Sequence, residues 1–375
     1  MRATPHSLDP QHARVSKLSI RSYLEWYREH PAARSPLSRR GWLLTGLAFL
    51  AVLAWSEATT SALQSQLLTG ITSRLSWRIT SASNATQVVE FPRHGPLDER
   101  LGYTRIPKFR NMLERFGFHV VEATRASGAL VTLTRLGIPP PYEEPASTGF
   151  VIEGVGGRTL FSAAASEPLR FENYDQIPPL VVHALSFIED RRVDDLSAPH
   201  RNPAVDWARL GKAVLVRGAR TFGLPVSNEG GSTLAVQLEK YRHSQEGLTS
   251  SGVDKLQQIV GASLRAYQNG PDTREARRRI VLDYLNSMPL AAAPGFGEIH
   301  GLKDGLRIWF NADPEAVFRE LDSDVPPGPG QSTDLHPEDR AWAFKHVLAL
   351  LCAVKAPTGY LCLLYTSDAA AILRV

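Results

Sequence analysis

The chain has 375 residues, 43% of them apolar, and a formal net charge of only +4. This length suggests two or three folded units, and the small charge gives no reason to expect a nucleic acid partner. Cys352 and Cys362 provide neither a disulfide framework nor a cysteine-based metal site. The sequence also lacks a phosphate-binding loop and a His-Glu-x-x-His zinc motif.

The N-terminal part of the chain predicts a membrane protein. Residues 1–40 are polar and basic and are predicted to be a cytoplasmic tail. The run 42–55 carries no charge, and a span needs about 20 apolar residues, so the predicted transmembrane anchor covers residues 41–63. Arginines precede the run, which places the N terminus inside the cell and the rest of the chain outside. A signal peptide and a buried core helix are the competing interpretations.

The next segments are predicted to be a helical stalk over residues 64–94 and a small α/β accessory domain over residues 95–170. Within the latter, we expect a helix over Pro107–Phe116 and strands over 117–121 and 129–133. Residues 149–161 read as a hairpin that turns at the Gly156-Gly157 pair.

From about residue 175 the pattern becomes helical. Pro178 and Pro179 open a helix that delivers Glu189 to its C-terminal end. Residues 272–275 resemble a capping box at the start of a second helix. After a Pro/Gly-rich linker at 325–330, a further helix runs from Pro337 to Cys352. Residues 171–360 are therefore predicted to form a mainly α domain.

Two short motifs carry the strongest functional signal. Residues 187–192 read Phe-Ile-Glu-Asp-Arg-Arg, and residues 229–240 read Glu-Gly-Gly-Ser-Thr-Leu-Ala-Val-Gln-Leu-Glu-Lys. Together they resemble the first two signature motifs of the peptidoglycan glycosyltransferases (glycosyltransferase family 51), the transglycosylase domain of class A penicillin-binding proteins. Residues 279–286, 294–301 and 349–360 are similar to later motifs of that family.

The resemblance implies a mainly α, lysozyme-like glycosyltransferase domain, preceded by a single transmembrane helix and the small α/β domain. It also implies an enzyme on the outer face of the bacterial cytoplasmic membrane, which polymerises lipid II and releases undecaprenyl pyrophosphate. The expected partners are lipid II, the nascent glycan and the membrane, and other cell-wall synthesis proteins are further candidates. The segment from Trp207 to Val226, which mixes apolar and basic residues, would then dip into the membrane; a core helix with a basic outer face fits the pattern equally well.

The resemblance also assigns roles to individual residues. Glu189 would be the general base that accepts a proton from the attacking sugar hydroxyl, and its neighbour Asp190 would hold loop and helix in place. Substrate binding would use the following residues: Gly230, Gly231, Ser232, Thr233, Gln237, Lys240, Arg277 and Asn286. Taken singly, these residues are ordinary helix ends, caps and surface groups, and the arginines around 277 fit a solvated helix face.

Three departures from the family pattern lead to alternatives. The continuation of the first motif differs, with an insertion before residues 202–207. Gln258 stands where the family has a second catalytic Glu, and because an amide binds a divalent cation poorly, the need for Mg²⁺ or Mn²⁺ is left open and no cofactor is assigned. The domain could therefore be a lipid II binder or scaffold without catalysis; a glycan hydrolase and a structural membrane protein are less favoured. Residues 361–375 do not continue the family pattern, and we interpret them as a sequencing or assembly scar.

Overall fold

The computed structural model describes residues 39–81, 95–143, 149–164, 169–207, 209, 211, 232–322 and 337–362. The predicted tail, the linker at 325–330, Gly230, Gly231, most of the segment 207–226 and residues 363–375 lie outside the described residues. The helices are α1 Arg39–Thr60, α2 Ala62–Thr72, α3 Pro96–Arg100, α4 Ile106–Arg115, α5 Gly128–Arg135, α6 Pro179–Ile188, α7 Leu234–His243, α8 Gly252–Ala266, α9 Arg274–Ser287, α10 Leu302–Phe310, α11 Pro314–Asp322, α12 Pro337–Ala353 and α13 Pro357–Leu361. The strands form two-stranded antiparallel sheets and are β1 Trp77–Ser81 with β2 Glu122–Ala126, β3 Gly149–Glu153 with β4 Thr159–Ala164, and β5 Pro289–Ala293 with β6 Gly297–His300.

The predicted fold class is confirmed, since the described chain is mostly helical with small sheets and one long apolar helix near the N terminus. Within α1, residues Gly41–Thr60 are long and apolar enough to cross a membrane, by length and composition, and are not buried by the rest of the protein. The contacts divide the chain into two compact units, Met1–Ser56 and Glu57–Val375.

Helix α2, which the sequence places in a stalk, packs against the helical domain within the second unit. The Thr72 hydroxyl donates a hydrogen bond to the Tyr267 carbonyl at 3.0 Å. The Ser61 hydroxyl accepts one from the amide of Asn202 at 3.2 Å, and Leu68 packs against a buried cluster that contains Leu264. The strand β1 follows, so the helical prediction holds for α2 and fails for residues 77–81.

Two of the elements predicted between residues 95 and 170 are confirmed and two are wrong. The helix α4 matches the expected one, and the hairpin β3–β4 forms with Gly156 and Gly157 both at positive φ. Residues 117–121 lie outside a strand, and residues 129–133 belong to the helix α5. The hydroxyl of Ser127 accepts a hydrogen bond from the Leu130 amide and so caps α5, whose Leu130 and Leu133 become buried. Tertiary burial at helical spacing overrides the strand preference of the Leu-Val-Thr-Leu run.

The main core joins α6, α9, α10 and α12. Leucines such as Leu185, Leu285, Leu306 and Leu350 are fully buried there, and each contributes roughly 1.5–3 kcal/mol relative to an exposed position. The predicted helices over α6, α9 and α12 are confirmed, but the predicted capping box at the start of α9 is wrong. The Thr273 hydroxyl makes no cap and donates to the carbonyls of Pro199 and Arg201, which anchors the loop before Asn202.

Candidate active site

The carboxylate of Glu189 lies at the C-terminal end of α6. The buried side chains of Val181, Val182 and Leu185 fix one face of this helix, and the amide of Glu189 closes its last turn on the Leu185 carbonyl at 2.9 Å. The half-buried Glu189 carboxylate accepts a hydrogen bond from the Gln237 side-chain amide at 3.1 Å. This bond joins the first motif directly to the second.

Asp190 connects the same two motifs through the backbone. Its buried carboxylate accepts hydrogen bonds from the backbone amides of Arg192 at 3.2 Å and Leu234 at 3.3 Å. Burial raises the pKa of Asp190, while these two hydrogen bonds act in the opposite direction. Because Leu234 is the first residue of α7, Asp190 holds the start of that helix next to Glu189, as a positioning residue would.

Arginine and aspartate side chains form further contacts around the C-terminal end of α6. The Arg209 guanidinium donates to the Glu189 carbonyl at 2.9 Å and forms an ion pair with Asp206 at 3.5 Å. Asp206, which is buried, also pairs with Arg192 at 3.2 Å. Neither Arg209 nor Asp206 was among the residues expected from the sequence, because the insertion there departs from the family motif.

A hydroxyl of the second motif meets a lysine of helix α8. The Lys255 ammonium donates to the Ser232 hydroxyl at 2.5 Å. Burial lowers the pKa of Lys255, and the nearby charge of Lys240 lowers it further. A pair of ammonium groups beside a hydroxyl is suited to binding a phosphate or pyrophosphate. Lys255 was not predicted as a site residue, although it lies three positions before Gln258, which stands where the family has its second catalytic Glu.

Thr233 has a structural task at this site. Its hydroxyl accepts a hydrogen bond from the Val236 amide at 3.4 Å and thereby caps α7, and its side chain is buried. Thr233 is therefore a helix cap, which is one of the roles that the sequence allowed for it. Ser232, one residue earlier, is only half-buried and is the hydroxyl that faces Lys255.

Tyr284 lies within residues 279–286, which resemble a later motif of the family, and it was not predicted as a site residue. It is buried in α9, and its hydroxyl has no hydrogen-bond partner among the described residues. Burial raises the pKa of Tyr284, and the negative charge of Glu189 raises it further. The effect of the Glu189 charge on this pKa indicates that the Tyr284 hydroxyl lies in the neighbourhood of the candidate base.

Three of the expected site residues form hydrogen bonds that hold the fold together, and they are Arg277, Asn286 and Gln258. The guanidinium of Arg277 is buried and donates to the carbonyls of Asp195 and Ala198, so it supports a loop instead of presenting a charge to phosphate. The amide of Asn286 pairs with the backbone of Phe171 at 2.9 and 2.8 Å.

Gln258 is also fully engaged. It is buried, its oxygen accepts from the Thr249 hydroxyl at 3.0 Å, and its nitrogen donates to the Ser244 hydroxyl at 2.8 Å. Within the described ranges there is no group of three His, Cys, Asp or Glu side chains that could hold a metal ion. The described residues around Gln258 therefore do not fit a divalent cation, and no step is assigned to one.

The geometry defines a class of site: a carboxylate at a helix end, hydrogen-bonded to a second helix that carries Lys240, with Lys255 close enough to feel the charge of Lys240. The model of the family described as transglycosylase matches residues 157–321. This range includes Glu189, Gln237, Lys255 and Tyr284. Residues 157–321 are therefore a transglycosylase domain of glycosyltransferase family 51, and the resemblance of the two motifs is confirmed. A comparison with curated proteins gave no match.

Proposed function

We propose that this protein is a membrane-anchored peptidoglycan glycosyltransferase that polymerises lipid II. The transglycosylase domain supports glycosyltransferase activity and a role in cell wall synthesis. The observation that carries the proposal is the 3.1 Å hydrogen bond between Gln237 and Glu189, because it unites both motifs at a single carboxylate. The lysine pair formed by Lys240 and Lys255 supplies the positive charge that a pyrophosphate leaving group requires.

In this proposal Glu189 acts as the general base. The 4-hydroxyl of the acceptor sugar attacks the anomeric carbon of the donor, and its proton passes to Glu189. The bond between the anomeric carbon and the pyrophosphate oxygen breaks, and the leaving group departs with the electron pair. Lys255 and Lys240 stabilise the negative charge that develops on it. Gln237 and Asp190 keep the Glu189 carboxylate oriented, and Ser232 positions Lys255.

The membrane orientation is part of the proposal. The apolar segment Gly41–Thr60 would span the bacterial cytoplasmic membrane, with the basic N-terminal tail inside and the transglycosylase domain on the outer face, where lipid II carries its sugars. The domain division expected from the sequence, with an accessory domain over 95–170, also belongs to the proposal.

A second candidate function is a lipid II-binding or scaffold protein that has lost catalysis. The observation that favours it is Gln258, whose neutral amide is held between Thr249 and Ser244. This candidate shares the lysine pair with the first, so it predicts binding without turnover.

The test uses the full-length protein in detergent with fluorescent lipid II, and polymer is measured by gel electrophoresis. We expect glycan chains from the parent and a loss of at least a hundredfold in Glu189→Gln. Glu275→Gln is the matched control, because Glu275 is exposed in the first turn of α9. If the parent binds lipid II without making polymer, and Gln258→Glu makes polymer, the second candidate function is correct and the protein is a binder that has lost catalysis. If neither the parent nor any variant binds lipid II, both candidates fail.

A further inference from the structure

The helix α4 has one strongly apolar face that no part of the described chain covers. Ile106, Phe109, Met112 and Phe116 fall on one side at helical spacing, and they are 42%, 52%, 44% and 75% exposed. The opposite side carries polar residues such as Asn111. The apolar surface continues beyond the helix, because Phe118, Val120 and Val121 are exposed as well.

A short helix with such an exposed apolar face is not expected to be stable in water by itself. It has 10 residues, and none of them is buried. Isolated helices shorter than about 12–15 residues are marginal in water, and most helices in proteins depend on packing of the apolar face. Exposed apolar area of this kind marks an interaction surface.

The charges next to the apolar face are mainly basic. Arg105, Lys108, Arg110 and Arg115 lie on or immediately before α4, and Glu114 is the acidic residue of the helix. Glu114 pairs with Arg110 at 3.5 Å, so three positive charges remain uncompensated within this segment. An amphipathic helix with basic residues beside a Phe-rich apolar face is typical of binding to the surface of an anionic bilayer.

The unit that contains α4 starts in the chain where the candidate membrane span ends. The candidate span ends at Thr60 and α2 begins at Ala62. The Glu57 carboxylate accepts hydrogen bonds from the amides of Leu63 and Gln64, both at 2.8 Å. The second unit, to which α4 belongs, begins at Glu57, within the last turn of the candidate span.

We propose that α4 is an interfacial membrane-docking helix. Ile106, Phe109, Met112 and Phe116 insert at the boundary between headgroups and acyl chains, and the basic residues contact anionic lipid headgroups. This contact would hold the transglycosylase domain at a fixed orientation above the bilayer, independently of its chemistry. It depends on the membrane anchor but not on the identity of the sugar substrate.

The test places a fluorescent probe on each face of the same helix in the full-length protein. In a background of Cys352→Ser and Cys362→Ser, either Met112→Cys or Asn111→Cys is introduced and labelled with an environment-sensitive dye. Both proteins are reconstituted in nanodiscs of phosphatidylcholine with and without phosphatidylglycerol. In the discs with phosphatidylglycerol, we expect the probe at 112 to be quenched by lipids that carry a nitroxide near the headgroup. We also expect it to be severalfold less accessible to aqueous iodide than the matched probe at 111.

A second pair of variants tests the charges and the other occupants of the surface. Lys108→Glu combined with Arg115→Glu should lower the quenching of the probe at 112 severalfold, whereas Lys108→Arg combined with Arg115→Lys should not. The proposal is overturned if both probes are equally accessible to iodide. It is also overturned if the probe at 112 is shielded from iodide but not quenched by the labelled lipids, because a protein would then cover this face. Polymer formation by Glu189→Gln does not enter this test, so the proposal can fail separately from the proposed function.

Discussion

The side chain of Gln237 hydrogen-bonds the carboxylate of Glu189 at 3.1 Å. This single contact links two residues that are 48 positions apart in the chain, and it joins the C-terminal end of α6 to the first turn of α7. Since Gln237 donates to the oxygen Oε2 of Glu189, it fixes the direction of the carboxylate.

Replacing Gln237 should therefore impair the base without unfolding the protein. A hydrogen bond to a charged group contributes about 1.5–3 kcal/mol, so Gln237→Ala should reduce lipid II turnover roughly 10- to 150-fold. The measurement is the initial rate of polymer formation at saturating lipid II. Gln268→Ala, at an exposed position after α8, is the control and should keep the parent rate. An unchanged rate in Gln237→Ala would show that Glu189 needs no such orientation.

Asp190 should contribute to stability as well as to activity. Its two oxygens accept from the amides of Arg192 and Leu234, and an Asn side chain can satisfy only one of them. We expect Asp190→Asn to lower the free energy of unfolding by about 1–3 kcal/mol and to reduce turnover in parallel, as measured by denaturant titration and by polymerisation. Asp272→Asn is the control, because Asp272 makes an exposed ion pair with Arg274, and such pairs contribute about 0–1 kcal/mol. Equal losses in the two variants would argue against a positioning role for Asp190.

Lys255 should act on the pyrophosphate end of the substrate. Lys255→Met keeps the length of the side chain but removes its charge, so we expect at least a tenfold loss of lipid II affinity together with a fall in turnover. Lys255→Arg retains the charge and should recover much of the affinity, although the larger fork fits the Ser232 contact less well. Binding is measured with labelled lipid II in the Glu189→Gln background, where substrate is not consumed. If Lys255→Met binds as tightly as the parent, the lysine pair does not hold the pyrophosphate.

Glu239 provides a prediction on pH. This residue is fully buried and contacts Arg265 at 2.6 Å, Arg242 at 3.5 Å and His243 at 3.8 Å. Burial alone would raise the pKa of Glu239, but the charges of Arg265, His243 and Arg242 outweigh burial and hold the pKa at about 2, below its ordinary value of 4.5. A lowered folded-state pKa means that the ionised carboxylate stabilises the fold above about pH 4.5. That stabilisation should be lost as the pH falls from 4.5 towards 2.

The variant Glu239→Gln tests this network directly. It removes a partner from Arg242, which is buried, and from Arg265, which is half-buried, and breaking a buried pair in this way costs about 3–5 kcal/mol. The free energy of unfolding should therefore drop near pH 7, and its dependence on pH between 4.5 and 2 should become shallower than in the parent. If the free energy of unfolding of Glu239→Gln depends on pH as steeply as that of the parent, other carboxyl groups cause the sensitivity to acid.

The sequence predicted the parts of the fold that depend on local patterns. Helices α6, α9 and α12 have apolar residues at helical spacing and prolines or polar residues at their starts, and they form as expected. The strand prediction over 129–133 failed because burial of Leu130 and Leu133 against Leu264 decides that segment, and Leu264 is remote in sequence. The same holds for Thr273, whose partners Pro199 and Arg201 are supplied by a distant loop.

The candidate site could likewise be predicted only in part from the sequence. Glu189, Asp190, Ser232 and Gln237 were predicted through two motifs, and the structure brings them together around the start of α7. The partners of Arg277 and Gln258 could not be predicted, because loop carbonyls and hydroxyls meet them only in the folded chain. The local sequence gave no indication that Arg277 would be buried rather than solvated.

The most direct test of the account is the ratio of polymerisation rates of the parent and Glu189→Gln with fluorescent lipid II, both with verified lipid II binding. We predict glycan chains from the parent and a rate at least a hundredfold lower in Glu189→Gln. Equal rates of polymer formation in the two proteins would contradict the assignment of Glu189 as the base.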